Sequence, residues 1–411
     1  MFTRLNFLNY FLQVVNGLVP IFFILYLNGN ASLTFMGFFF KSLAIIGLVQ
    51  LFVDYGFNYS GIRAYKGLIS QNASQQDKFN YFFNVMVAKC LISSVGLLCY
   101  LLYRSFQPNP FDLVELAFIL MGVVFSLANF SWFFFASDIS LQFNFILLFL
   151  RICSFFILFV YSVSLDTVLL INFAPYFLSN VFLLLYVLIK KRGALFSITR
   201  PSLSLASIFK EGWGVFSNGI FISFISMVWP LVFFRLLNAE LVGVYGIGDR
   251  ILRGLKNLLG PIPFFVLSYA GNHSLLENLI SIKKRFKIGF LAFLLFVPLS
   301  FVFIPSSVLQ IFLKGDIINF RGLLNIFVFS FIPAALNSIF YSILIAISKE
   351  RQYLLYFIFS FVAAILLGFF INTFIFMPLF LEFILAAILF YKLYIRSRYE
   401  NINRSLISSL I

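Results

Sequence analysis

The sequence has very little charge for its size. Only 10% of its 411 residues are charged, whereas 62% are hydrophobic, and the mean hydropathy is +1.04. Soluble domains carry about 25% charged residues, so this chain cannot cover a globular surface with polar groups. The composition therefore excludes an ordinary soluble protein and predicts an integral membrane protein, which is surrounded by lipid.

Histidine and cysteine are also scarce. The single histidine, His273, excludes a histidine-rich metal site and argues against a Ser/His/Asp triad. The three cysteines, Cys90, Cys99 and Cys153, lie in apolar runs and predict no disulfide framework. The chain also lacks a Walker motif, so we expect no ATP hydrolysis. No enzyme activity, cofactor or metal is predicted.

Long apolar runs, by contrast, fill the chain. A membrane-spanning helix needs roughly 20 apolar residues. The runs predict an all-α polytopic membrane protein with about 12 transmembrane helices and short external loops. The predicted spans are 5–26, 33–53, 79–102, 114–135, 141–161, 168–189, 214–237, 241–266, 288–304, 320–347, 353–372 and 375–394.

The positions of Lys and Arg predict the orientation. With the N-terminus in the cytoplasm, 19 of the 29 Lys and Arg fall on the cytoplasmic side and four on the other. This bias satisfies the positive-inside rule and predicts that both termini are cytoplasmic. Most of the net charge of +15 is then explained by the Lys and Arg that set the orientation in the membrane. No nucleic-acid partner is predicted.

The chain divides near its midpoint. A basic connection over 190–213 predicts an N-terminal six-helix lobe at 1–195 and a C-terminal six-helix lobe at 196–411. The two halves share a faint repeat: Met36-Gly37-Phe38-Phe39 opens the second span, and Val242-Gly243-Val244-Tyr245 opens the eighth. Since six helices is an even number, such a repeat would be parallel.

Charged residues inside the spans are the strongest functional signal. Each costs about 2.5–3.5 kcal/mol at the centre of a membrane helix, and an internal ion pair could account for any single one. The few anions present, Asp249 and Glu382 with Asp54 near a cytoplasmic end, cannot pair with all six cations. A net cationic interior is therefore predicted, formed by Lys41, Lys89, Arg151, Arg250, Arg253 and Lys256.

The eighth span carries the densest charge. Asp249, Arg253 and Lys256 are spaced to share one helix face. Asp249 is expected to pair with Arg253 at i+4, which leaves Lys256 unpaired on that face and Arg250 about 100° away. Such a basic face suits a bulky anion such as a pyrophosphate.

The first span carries amides instead. Asn6, Asn9, Gln13 and Asn16 form one stripe, followed by Pro20, where the helix is expected to kink. Amides donate and accept hydrogen bonds, as sugar hydroxyls require. The alternative is that they hydrogen-bond to neighbouring helices and hold the bundle together.

Three segments resemble a known family. The segment 53–58, Val-Asp-Tyr-Gly-Phe-Asn, and the following Arg63 resemble the Asp-x-Gly-Phe segment of bacterial polysaccharide repeat-unit flippases, of the O-antigen and capsule type. Residues 129–138, Asn-Phe-Ser-Trp-Phe-Phe-Phe-Ala-Ser-Asp, resemble their Trp-Phe-Phe segment, and Val242-Gly243-Val244-Tyr245 is also similar. These proteins belong to the multidrug/oligosaccharidyl-lipid/polysaccharide exporter superfamily.

The resemblance implies two six-helix lobes around a central cavity that opens alternately to each side. It also implies a location in the bacterial inner membrane. The implied substrate is an undecaprenyl-pyrophosphate-linked oligosaccharide, moved from the cytoplasmic to the periplasmic leaflet. Its implied partners are this lipid-linked oligosaccharide, membrane lipids and other polysaccharide assembly proteins.

Roles for individual residues follow from this hypothesis. The six cations would bind pyrophosphate and acidic sugars, and the amide stripe would bind sugar. Asp249 and Glu382 are candidates for proton or sodium coupling, and Asp54 with Arg63 for a cytoplasmic gate. Two alternatives stay open, a cation-coupled exporter of drugs or other small molecules and a polysaccharide polymerase.

Overall fold

The computed structural model describes eight main stretches of the chain, and their backbone is helical, with no strand among the described residues. This confirms the all-α class. The described residues are 4–106, 113–160, 164–190, 205–223, 239–257, 296, 298–299, 302–303, 321–346, 350–371 and 377–392.

Fourteen helices lie within the described residues. The first eight are α1 (Arg4–Asn30), α2 (Leu33–Asp54), α3 (Phe57–Ser70), α4 (Gln75–Ser105), α5 (Leu113–Leu127), α6 (Ser131–Ala136), α7 (Ser140–Val160) and α8 (Leu165–Lys190). They are followed by α9 (Leu205–Ser223), α10 (Ala239–Asn257), α11 (Arg321–Phe329), α12 (Phe331–Ala346), α13 (Glu350–Ile371) and α14 (Met377–Phe390).

Six helical segments among the described residues are long and apolar enough to cross a membrane. Each overlaps one of the first six predicted spans, so the chain is a multi-pass membrane protein by length and composition. Of the ninth predicted span, 288–304, only five residues lie within the described part of the chain. The total of twelve spans and the orientation of the termini stay predictions.

A sharp break separates α2 from α3. The side chain of Ser32 caps the start of α2 by accepting a hydrogen bond from the backbone N–H of Phe35. At the other end Tyr55 and Gly56 both have left-handed backbone conformations, with φ of 44° and 76°. The chain then continues as α3, so much of the connection between the predicted spans 33–53 and 79–102 is helical.

A second break interrupts the predicted span at 114–135. Residues 128–130 are not helical, so the span consists of α5 and the short α6. The backbone N–H of Phe130 donates to the side chain of Asn180 at 2.8 Å, and Phe133 N–H bonds to the Phe130 carbonyl. The carbonyl of Asn129, which a continuous helix would use for Phe133, is therefore available to a side chain.

The chain forms two compact units. The first comprises 1–23 and 30–243, and the second comprises 24–29 and 244–411. In the first unit α9 packs against α2, α3 and α4. The predicted lobe boundary at 195/196 stays a prediction.

Aromatic side chains fill the core of the first unit. Trp132 on α6 is almost fully buried and contacts the ring of Phe82 on α4, stacked at a centroid distance of 5.9 Å. At the break after α2, Tyr55 stacks on Phe216 of α9 at 4.3 Å. These contacts position the end of α2, where Asp54 lies.

Close backbone contact also joins the starts of α2 and α10. A Cβ atom added at Gly37 would lie 2.2 Å from the Ala239 carbonyl oxygen, and one at Gly243 would lie 2.6 Å from that of Leu33. Backbone cannot yield as a flexible side chain can, so glycine is required at both positions.

We therefore expect Gly37→Ala to lower the free energy of unfolding by about 1–3 kcal/mol, because it overpacks this contact. Gly96→Ala is the matched control, since no atom lies within 4 Å of its added Cβ. Thermal unfolding of both variants in detergent tests this, and equal midpoints would contradict it.

Candidate functional site

A small polar cavity lies between α1, α7 and α8 in the first unit. Its volume is about 30 Å³, enough for one or two water molecules. Three polar side chains line it: Arg151 and Ser154 of α7, and Asn172 of α8. Two prolines also line it, Pro20 of α1 and Pro175 of α8. All three side chains can donate hydrogen bonds, as the oxygen atoms of an oxyanion require.

The prolines explain how the cavity forms within apolar helices. Pro20 has no N–H, so it cannot bond to the carbonyl of Asn16 four residues earlier. The Arg151 guanidinium donates a hydrogen bond to that carbonyl instead. Pro175 likewise leaves the carbonyl of Ile171, another cavity-lining residue, without its helical partner.

Two amides of the α1 stripe, Asn9 and Asn16, bond to α7. The Asn9 side chain donates to Ser140 Oγ at 2.9 Å and accepts from Asn144 at 2.8 Å. The Asn16 side chain donates to the Asn144 carbonyl at 2.8 Å. These bonds match the alternative in which the stripe joins helices, and sugar binding stays a prediction.

A buried ammonium group connects α2, α4 and the α5–α6 break. Lys89 is 0% exposed. Its Nζ donates to Asp54 Oδ1 at 2.7 Å, to the Ser126 carbonyl at 3.0 Å and to the Asn129 carbonyl at 3.1 Å. All three N–H donors of the ammonium are thereby satisfied.

The Asn129 side chain extends this network. Its Nδ2 donates to Asp54 Oδ2 at 3.1 Å and to Asn58 Oδ1 at 3.4 Å. Its Oδ1 accepts from Ser131 Oγ at 2.7 Å and from the Tyr176 hydroxyl at 2.8 Å. Four helices are therefore linked through one amide next to the helix break.

Two further ion pairs lie in α10 and α14. The expected pair of Asp249 with Arg253 is present at 2.6 Å. The expectation that Lys256 is left unpaired is wrong: its Nζ lies 2.6 Å from Glu382 Oε1. Asn337 of α12 donates to the other Glu382 oxygen, also at 2.6 Å.

Three of the six predicted cations are thus neutralised by three carboxylates. Arg151 and Arg250, both half-buried, form no ion pair with any residue that the structure describes. Lys41 is half-buried on α2. An uncompensated cation in an apolar environment is unfavourable unless an anion or water accompanies it, so Arg151 in its cavity is the best candidate for an anion site.

Comparison with known protein families identifies the chain. A model described as "Polysaccharide biosynthesis protein" matches residues 6–267, more than half of the sequence. The chain belongs to this family. The resemblance to polysaccharide repeat-unit flippases is thereby confirmed, and no curated protein or solved structure matches the chain. As a member of the polysaccharide biosynthesis family with at least six apolar helices, it is a membrane protein of polysaccharide biosynthesis and transport.

Two of the three family segments in the sequence meet at one place in the structure. Asp54 from the first segment and Asn129 from the second are bonded to each other and to Lys89. The other predicted gate residue, Arg63, is exposed on α3. Of the remaining predicted residues, Gln13 is half-buried on α1. The side chain of Asn6 lies outside what the structure describes.

Several contributing residues were missed from the sequence. Asn172, Ser154, Tyr176 and Asn337 are polar side chains in apolar helices, where charges and amide stripes give no signal. Asn58 lies near the start of α3, a more polar helix that also carries Arg63 and Lys66. Only Asn129 and Asn58 lay in segments already singled out. Because Pro20 follows Asn16 by four residues, the sequence could have indicated that the Asn16 carbonyl lacks its helical hydrogen bond. It could not have indicated that Arg151 donates to this carbonyl.

Proposed function

We propose that this chain is a flippase for undecaprenyl-pyrophosphate-linked oligosaccharide repeat units. It moves them from the cytoplasmic to the periplasmic leaflet by alternating access, coupled to an ion gradient. The chain then works in the bacterial inner membrane with both termini in the cytoplasm, in contact with membrane lipids and other polysaccharide assembly proteins.

The observation that carries this proposal is Arg151 in its proline-bounded cavity. A guanidinium binds two phosphate oxygens at once in a geometry that a single ammonium cannot reproduce. Arg151 has no carboxylate partner among the described residues, and Asn172 and Ser154 supply further donors beside it. In a membrane protein of polysaccharide biosynthesis, the diphosphate of the lipid-linked sugar is the anion that suits this chemistry.

The other predicted residues receive roles within this proposal. Lys41 and Arg250 contribute to the positive potential that attracts the diphosphate, whereas Lys89, Arg253 and Lys256, which were predicted to do the same, are neutralised by carboxylates. The amides Asn6, Asn9, Gln13 and Asn16 contact sugar. Asp249 and Glu382 are proposed for ion coupling, and Asp54 with Arg63 for the cytoplasmic gate. The ion pair of Glu382 with Lys256 supports the coupling role, because a coupling cation that binds the Glu382 carboxylate would compete with Lys256 for it.

Neither alternative gains support. An exporter of organic cations would need an acidic cavity, whereas the described cavity holds Arg151. A polymerase would need a large external loop, and the predicted external loops are short.

The test uses proteoliposomes that contain the purified protein and a labelled polyprenyl-pyrophosphate oligosaccharide. The fraction of label accessible to an added impermeant glycosidase is measured with and without an ion gradient. We expect accessibility to rise above that of protein-free vesicles, and to rise faster with the gradient. No rise with folded protein would contradict the proposal.

A further inference from the structure

We propose that the Lys89 ammonium occupies a monovalent-cation site, and that this site binds a free potassium-sized cation when the lysine is removed. The inference concerns binding in the first unit and does not depend on transport. It rests on the oxygen atoms that surround Nζ and on the way in which the backbone presents them.

The surrounding groups are typical cation ligands. One carboxylate oxygen of Asp54 and the two carbonyl oxygens of Ser126 and Asn129 lie 2.7–3.1 Å from Nζ. Interrupted membrane helices bind cations in the same way elsewhere, through carbonyl oxygens at the break. Here the Asn129 carbonyl is left without its helical partner, whereas the Ser126 carbonyl also accepts from the Asn129 N–H at 3.1 Å. An ammonium is close to potassium in size, so these spacings suit potassium better than the smaller sodium or lithium.

The oxygen atoms are held in place without the help of the lysine. The second Asp54 oxygen accepts from Asn129 and from Asn58, the latter at 3.3 Å. At the break, the Asn180 side chain accepts a hydrogen bond from the Phe130 N–H. The same side chain donates to the Tyr176 carbonyl at 2.8 Å. A ligand set supported in this way is expected to persist when Nζ is removed.

The negative charge requires a cation at this place. Removal of one member of a buried ion pair leaves the other charge uncompensated. Asp54 is only 16% exposed, so water can compensate it only partly. In the wild-type chain the cation is covalently attached and cannot dissociate, so an ion that couples transport must bind elsewhere.

The experiment measures thermal unfolding in detergent in potassium chloride and in N-methylglucamine chloride at equal ionic strength. Lys89→Met keeps an unbranched side chain as far as Cε and leaves the position of Nζ vacant. We expect this variant to melt several degrees higher in potassium chloride, since a ligand that binds only the folded state stabilises it. The wild type should show no such difference between the two salts.

The double variant Lys89→Met with Asp54→Asn is the matched control, because it removes both charges. It should melt at the same temperature in both salts. An equal response of the single and double variants would overturn the proposal, as would a Lys89→Met protein that potassium does not stabilise. If Lys89→Met folds only in potassium chloride the proposal is supported, and if it folds in neither salt the proposal is overturned.

A second variant tests the shape of the site. Lys89→Ala lacks the three methylene groups and the ammonium that n-propylammonium would replace. We expect n-propylammonium to raise the melting temperature of Lys89→Ala by more than that of Lys89→Met, whose side chain already fills the space. Equal responses of the two variants would contradict occupancy of the Lys89 position.

Discussion

Asp54→Asn should lower the free energy of unfolding by about 3–5 kcal/mol, one of the largest effects that we expect for a single substitution in this chain. The variant keeps the size of the side chain but leaves the ammonium of Lys89, which is fully buried, without its counter-charge. Chemical or thermal unfolding in detergent, followed by circular dichroism, measures the loss.

The chain offers a matched control in Glu115→Gln. Glu115 pairs with Arg104 at 3.6 Å, but its side chain is 37% exposed, and exposed pairs contribute about 0–1 kcal/mol. A similar loss in both variants would show that burial does not distinguish the two ion pairs. Addition of Lys89→Met to Asp54→Asn should recover part of the stability, because no charge then stays buried alone.

Arg151→Gln should slow flipping on the order of 100-fold, the largest functional effect that we expect. Hydrogen bonds to charged groups contribute about 1.5–3 kcal/mol, and a diphosphate would lose both its counter-charge and a two-pronged donor. The initial rate at which sugar becomes accessible to the impermeant glycosidase in proteoliposomes measures the effect.

Two variants separate charge from structure in this experiment. Arg104→Gln makes the same chemical change at the end of α4, outside the cavity, and should flip at the wild-type rate. Arg151→Lys keeps the charge but loses the planar donor pair, so its rate should lie between those of the wild type and Arg151→Gln. A wild-type rate for Arg151→Gln would contradict the role of the cavity.

Local patterns in the sequence predicted structure well. The pair of Asp249 and Arg253 followed from i,i+4 spacing on one helix, and the first six spans followed from apolar runs, because both depend on residues close in sequence. Pro20 was also singled out in the first span, and it lies inside α1. Its consequence for Arg151 was not predicted, since the partner lies on another helix and helix rotation cannot be derived from spacing.

Pairs between distant helices escaped prediction for the same reason. Lys256 was expected to be unpaired, yet Glu382, 126 residues away, binds it. The break at 128–130 contains neither proline nor glycine, so no local signal marked it. It is stabilised by Lys89 and Asn180 from other helices, and such tertiary bonds override the helical preference of the segment.

The hydrogen bond from Arg151 to the Asn16 carbonyl has a consequence for the strength of anion binding. A long side chain normally loses about 0.5–1.5 kcal/mol of conformational entropy when a ligand immobilises it. Here the carbonyl left free by Pro20 already restricts the guanidinium, so part of that loss is incurred during folding. The proline of α1 thereby preorganises a side chain of α7.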